Sequence, residues 1–145
     1  AYEMANSLIV GGLKTGMQVS VACPEGYRPD SRVLDFANNY AGFSMFTEPM
    51  EAASGADVIF TDVWASMGQE GEAEERKKIF GGKYQVNKEL LAVANSGCMV
   101  QHCLPAHRGE EITADVFESH ADEIFDEAEN RLHAQKAVMV TLMEK

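Results

Sequence analysis

The stretch Cys98-Met99-Val100-Gln101-His102-Cys103-Leu104-Pro105 decides the fold of this chain. A run of strand length and β-rich composition ends in an imidazole, a thiol and a proline turn. A second stretch has the same form. Asp57-Val58-Ile59-Phe60-Thr61 is followed by Asp62-Val63-Trp64-Ala65-Ser66-Met67-Gly68-Gln69-Glu70, which brings a carboxylate, a hydroxyl and a glycine-bearing turn. Short apolar runs bounded by turn residues read as buried strands. In open α/β sheets, ligands sit beyond the carboxyl ends of the strands. Both clusters stand at such ends, so they are read together as one site.

Working outward, helix-like and strand-like segments alternate. Met4 to Thr15 carries Met4, Leu8, Ile9 and Leu13 near helical spacing and stops at Gly16. Gln18–Cys23 is a β-rich run, and Pro24 to Pro29 is a loop by composition. Asp30 caps a helix running through Tyr40, Phe43–Phe46 is a strand, and Thr47 and Pro49 open a short helix closed by Gly55. In Glu70–Phe80 the acids come first and Arg76-Lys77-Lys78 last, with Glu72–Arg76 and Glu74–Lys78 at i,i+4. That run reads as a solvated helix face. Asn87 caps a helix over Lys88–Ala94, Thr113 caps a short one, and Asp126 opens the last, to about Met143. The alternation predicts one α/β domain over residues 1–145, with a mainly parallel sheet flanked by helices.

The 145 residues, 46% of them apolar, suffice for one core. Twelve basic against 23 acidic residues give a net charge of −11, which argues against nucleic acid as a partner. No apolar run approaches the ~20 residues of a membrane span, and residues 1–16 lack a signal-peptide pattern. Three unpaired-looking cysteines, Cys23, Cys98 and Cys103, fit a reducing cytoplasm.

Cys103 has the polar company that a working thiol needs, although burial is the ordinary fate of a cysteine. Asp62 either caps the following turn or holds a cationic substrate. Gly68 lets the Ser66-Met67-Gly68 turn approach a ligand closely. Arg131, placed by this reading near the start of the last helix, offers a guanidinium fork for phosphate or carboxylate; a salt bridge to Glu127 or Glu129 is the plainer alternative. His107 and Arg108 read as loop residues. No recognised ligand spacing supports a metal, and no glycine-rich phosphate loop supports a nucleotide.

With these residues in view, the chain resembles the carboxyl-terminal, ornithine-binding half of the ornithine carbamoyltransferase family. Asp62 through Glu70 looks like the family's ornithine loop, Gln101-His102-Cys103-Leu104-Pro105 like its cysteine motif, and Ala128-Glu129-Asn130-Arg131 like its final arginine motif. Ala5-Asn6-Ser7-Leu8 resembles the helix that opens this half. The resemblance implies a Rossmann-like domain and transfer of a carbamoyl group from carbamoyl phosphate to the side-chain amine of L-ornithine, giving citrulline and phosphate. It implies that Asp62 and Cys103 grip the amine, that Ser66 and Met67 hold the amino-acid end, and that Cys103, the Leu104 carbonyl and Arg131 contact carbamoyl phosphate. His102 joins the catalytic set, and Leu104-Pro105 is expected to be cis. No metal or organic cofactor is implied. The whole enzyme is expected to be a trimer.

Two departures from the family pattern shape the expectations. Its amino-terminal carbamoyl phosphate half is not in these 145 residues, and neither is the strand before Met4, so the sheet is expected to lack its first strand. The chain alone is expected to show little activity. Its last helix, with Ala134, Ala137, Val138, Val140 and Leu142, is expected to be left uncovered, favouring self-association or a complementary chain. Glu3 stands where the family has an ornithine-binding asparagine, which leaves open a carbamoyltransferase for another amine. A non-catalytic binding or assembly domain of the same fold is the competing class.

Overall fold

The computed structural model describes residues 2–65 and 70–144. In chain order the elements are α1 (Tyr2–Lys14), β1 (Val19–Ala22), α2 (Ser31–Ala37), β2 (Phe43–Phe46), α3 (Pro49–Ala53) and β3 (Val58–Thr61). A short 3-10 turn at Glu70–Glu72 leads into α4 (Ala73–Phe80), followed by α5 (Lys88–Leu91), β4 (Met99–His102), α6 (Ala114–Ser119) and α7 (Ala121–Met143). The strands and most helix starts fall where the sequence places them. Asp30 caps α2 by accepting from the Arg32 N–H, and Asn87 caps α5 by accepting from the Leu90 N–H at 2.9 Å. Glycine inside α1 also has a reason: a Cβ on Gly12 would meet Val19 Cγ2 at 2.8 Å, so its absence lets α1 lie close on β1.

All pairing is parallel, but the strands form two separate pairs, β1 with β2 and β3 with β4. Val19 and Cys23 donate to the β2 side, so Ser20 and Ala22 turn their backbone groups to the opposite edge. Asp57 accepts from the Met99 N–H, so Val58 and Phe60 do the same on β3. No strand among the described residues joins these two edges. This split is what a sheet without its first strand is expected to show.

The larger core lies under β3 and β4, where Ile59 and Val100 pack with Val86, Leu90, Ile112, Val116 and Ile124. A smaller one joins α1 to α2 through Ile9, Leu13 and Ala37. The outer edge of β4 is closed by Glu123, whose Oε2 accepts from the Val100 N–H at 3.2 Å while Oε1 pairs with His120 Nδ1 at 2.6 Å.

Four expectations about helices change. Helix α2 ends at Ala37 instead of Tyr40, and α5 at Leu91 instead of Ala94. The last helix begins at Ala121, not Asp126, so Arg131 lies well inside it and no helix N-terminus assists that guanidinium. Glu72–Arg76 forms, but Glu74 lies 3.9 Å from Lys77 and makes no ion pair with Lys78 among the described residues. Every described residue of α7 from Ala128 onward is exposed, so its apolar side chains are uncovered as expected.

These two halves of α7 differ in what holds them. Replacing Ile124, fully buried, by alanine is expected to lower stability by about 2–5 kcal/mol. Met139→Ala, on the exposed half, is expected to change it by less than about 0.5 kcal/mol. Urea unfolding of the purified chain measures both, and equal losses would show that the second half of α7 is covered in solution.

Candidate functional site

Register creates the site. Thr61 of β3 pairs with His102 of β4, so Asp62 and Cys103, the next residue on each, leave neighbouring strands side by side. Successive side chains on a strand point to opposite faces. Ile59, Val100 and His102 therefore enter the core, while Val58, Phe60 and Met99 occupy the other face and are exposed. Asp62 and Cys103 follow the parity of that second face.

His102 goes elsewhere. It is fully buried, its Nε2 lies 2.8 Å from Glu111 Oε1, and its Nδ1 accepts from the Leu104 N–H at 2.8 Å. The Nδ1 bond leaves the ring proton on Nε2, which donates to Glu111. Both ring nitrogens are thus occupied, and the ring braces the turn that follows Cys103. The Leu104–Pro105 bond is cis, as the resemblance implies, and Leu104 sits at φ +52°, a left-handed conformation rare for a bulky residue. Glu111, which sequence reasoning leaves in a polar loop, completes the brace: it is fully buried and also accepts from the His107 N–H at 2.7 Å. Burial alone would raise its pKa, but the bonds from His102 and His107 hold it below the usual carboxylate range.

The surroundings of Cys103 bring the separated motifs together. Burial raises its thiol most, Asp62 and Glu127 add to the rise, and Arg131 opposes it; the pKa is pushed up to about 12. Asp62, Glu127 and Arg131 thus all lie within Coulombic reach of one sulfur. Glu123, bonded to Val100, anchors the start of α7 beside β4, and the reach of both Glu127 and Arg131 to Cys103 means that α7 then climbs in the direction of β4. From there to Arg131 α7 rises about 12 Å, close to the ~10 Å that β4 climbs from Val100 to Cys103. Arg131 is exposed, and neither Glu127 nor Glu129 forms an ion pair with it among the described residues; Glu129 pairs with His133 instead. Asp62 is half-buried, with Oδ1 accepting from the Val63 N–H at 2.8 Å. That bond, to the next residue's N–H, orients the carboxylate but is not a helix cap.

Ser66 and Met67 lie outside the described residues, so their expected roles rest on sequence. The residues around that turn are well held. Arg76 is buried, donates to the Trp64 carbonyl at 3.2 Å, pairs with Glu72 and lies over the Tyr27 ring. Phe80 stacks on Trp64 and meets Tyr27 edge-on. Reading Glu70–Phe80 as a solvated face misses Arg76, because its carbonyl partner is a feature of the fold. A cavity of about 250 Å³ beside Cys23, Arg28 and Glu51 holds none of the residues above.

A parallel α/β domain with a thiol, carboxylates and a guanidinium converging beyond its strand ends is the class defined so far. Residues 1–142 match the family described as aspartate/ornithine carbamoyltransferase, Asp/Orn binding domain, and the chain belongs to that family. An ornithine carbamoyltransferase of Thermococcus kodakarensis is 54% identical over 97% of this chain and 46% of its own length. The crystal structure of the anabolic ornithine carbamoyltransferase from Campylobacter jejuni superposes with a TM-score of 0.90 at 37% identity, over 95% of this chain and 47% of that one. The structure from Pyrococcus furiosus gives 0.83 at 54% identity, over 93% and 44%. The chain spans about half the length of the curated relatives it matches.

The electrostatics around Cys103 can be read by alkylation. Thiolate is the reactive form, so Cys103 is expected to react slowly with iodoacetamide at mildly alkaline pH. Asp62→Asn removes a raising charge and should speed the reaction about two- to tenfold; Arg131→Met removes the lowering one and should slow it by a similar factor. Peptide mapping by mass spectrometry measures both. Rates unchanged in both variants would show that these groups do not surround the thiol.

Proposed function

We propose that this chain is the ornithine-binding half of an ornithine carbamoyltransferase, joining the side-chain amine of L-ornithine to the carbamoyl group of carbamoyl phosphate. The single observation that supports the reading is that Asp62 and Cys103 leave paired strands side by side, with Arg131 of α7 within Coulombic reach of the thiol. Relatives about half identical to the chain and bearing that name support the choice of substrate.

The chemistry asks two things of the site. A free alkyl amine titrates near ~10.4, so ornithine must shed a proton before it attacks. Asp62, beside the amine, attracts it as a cation and accepts hydrogen bonds from it, while Cys103, protonated at neutral pH, supplies a polar contact and not a nucleophile. Attack then places negative charge on the carbamoyl oxygen, which the Arg131 guanidinium offsets, while the Leu104 carbonyl accepts from the carbamoyl NH2; collapse of the adduct breaks the bond to the phosphate oxygen and phosphate leaves. His102 and Glu111 serve by positioning that turn. Ser66 and Met67 hold the amino-acid end of ornithine. No metal or organic cofactor enters this scheme. Carbamoyl phosphate is held largely by a complementary amino-terminal half, which also covers α7; the whole enzyme is a cytoplasmic trimer. Orienting both reactants supplies much of such a rate, so the chain alone turns over very slowly.

Fused behind the amino-terminal half of the Thermococcus kodakarensis relative, the chain is expected to make citrulline from ornithine and carbamoyl phosphate. Cys103→Ala and Asp62→Asn should each lower kcat/KM by about 100-fold or more. A folded fusion that makes no citrulline, or that prefers putrescine or N-acetylornithine, would overturn the reading.

A further inference from the structure

Glu111 presents an unresolved polar balance. One carboxylate oxygen is fully used, by His102 Nε2 at 2.8 Å and the His107 N–H at 2.7 Å. The other, Oε2, is buried and has no hydrogen-bond partner among the described residues. A buried oxygen of a charged carboxylate left without a partner is costly, and in native proteins such atoms usually face a water or an ion. This one faces His107, whose Nδ1 is 3.8 Å away, too far for a hydrogen bond.

A third donor stands beside them. His107, Glu110 and Glu111 each offer one ligand atom, and the three atoms lie within 4.8 Å of one another. The loop that carries them is held in place. The Gly109 N–H donates to the Ile112 carbonyl at 2.8 Å, the Glu110 N–H to the His107 carbonyl at 3.0 Å, and Gln85 Nε2 to the carbonyls of Gly109 and Glu110. A turn of the half-exposed His107 ring inward would close the set towards the ~3.4 Å spacing of ligands around a small cation.

We propose that His107, Glu110 and Glu111 form a binding site for a divalent transition-metal cation of the zinc type. One imidazole and two carboxylates suit zinc, with water completing four-coordination. The site satisfies the orphan Oε2 without disturbing the bond from Oε1 to His102, which then orients the carboxylate from behind, as partners of metal ligands do. Sequence spacing gives no hint of it, because Glu110 and Glu111 are adjacent and only the turn brings both to His107. Lys77, 3.0 Å from Glu110 Oε1, is the cation that an incoming metal must displace or share.

Cobalt(II) added to the purified chain tests this directly. It should give visible absorption of low-coordinate cobalt without thiolate-to-cobalt charge transfer, and zinc should abolish the signal. His107→Ala should weaken binding by about 10- to 100-fold or more while circular dichroism stays unchanged. Lys77→Met should tighten it by about two- to fivefold, by removing the competing cation. No cobalt signal, a thiolate signature, or an affinity unmoved by His107→Ala would overturn the proposal.

Discussion

The register between β3 and β4 is the constraint on which the rest depends. A slip of one residue would send every side chain of one strand to the other face. Ile59 and Val100, paired and buried in the larger core, forbid that slip. Apolar packing several ångströms below the strand ends thus aligns Asp62 with Cys103. The same alternation explains why neighbours in sequence part company: His102 enters the core, and Cys103 emerges on the site side. Nothing at the site itself has to enforce this arrangement.

What the site needs in addition is a fixed turn after Cys103, and a buried polar network provides it. His102 connects the Leu104 N–H to Glu111, and Glu111 connects both to the His107 backbone. Val86 and Ile112 form a bridge in which the Val86 N–H donates to the Glu111 carbonyl, so the carboxylate arrives on a scaffold. Burying a carboxylate is tolerable only when hydrogen bonds replace its water. Here two bonds do so on one oxygen, and they hold a bulky residue at positive φ beside the thiol. Unusual backbone conformations persist where the surroundings over-determine them, which is common at working sites.

Most of the fold was legible because strands and caps are local. Val58–Thr61 and Met99–His102 announce themselves by composition, and Asp30 and Asn87 by their side-chain oxygens. The start of α7 was not legible, because His120 alone separates it from α6 and caps it with no side-chain bond. Residues with tertiary partners were also hidden. Arg76 sits in a run that is charged throughout, and its burial depends on the Trp64 carbonyl twelve residues earlier. Glu111 looks like its neighbour Glu110, yet one is buried and the other lies at the surface beside Lys77. For the site, Asp62 and Cys103 follow from strand ends alone; Arg131 is legible as a candidate, but its place in the middle of the last helix is not, because that depends on where α7 begins.

The charge balance around Cys103 bears on how an amine would be handled there. Two carboxylates and one guanidinium leave the surroundings of the sulfur net negative. Such a site attracts an ammonium group, but the same field holds the proton on it and works against attack. Attraction and activation therefore pull in opposite directions, and a carboxylate touching the amine serves both only if it can also receive the proton. Under the proposed function that carboxylate is Asp62, which is half-buried, bonded through one oxygen to the Val63 N–H, and next to the thiol. Cys103 cannot take the role of base, because a thiol with a pKa pushed up to about 12 is protonated at neutral pH. In the proposed reaction it would instead be polar and uncharged, adding a contact to the amine without deepening the negative field that would keep the amine protonated.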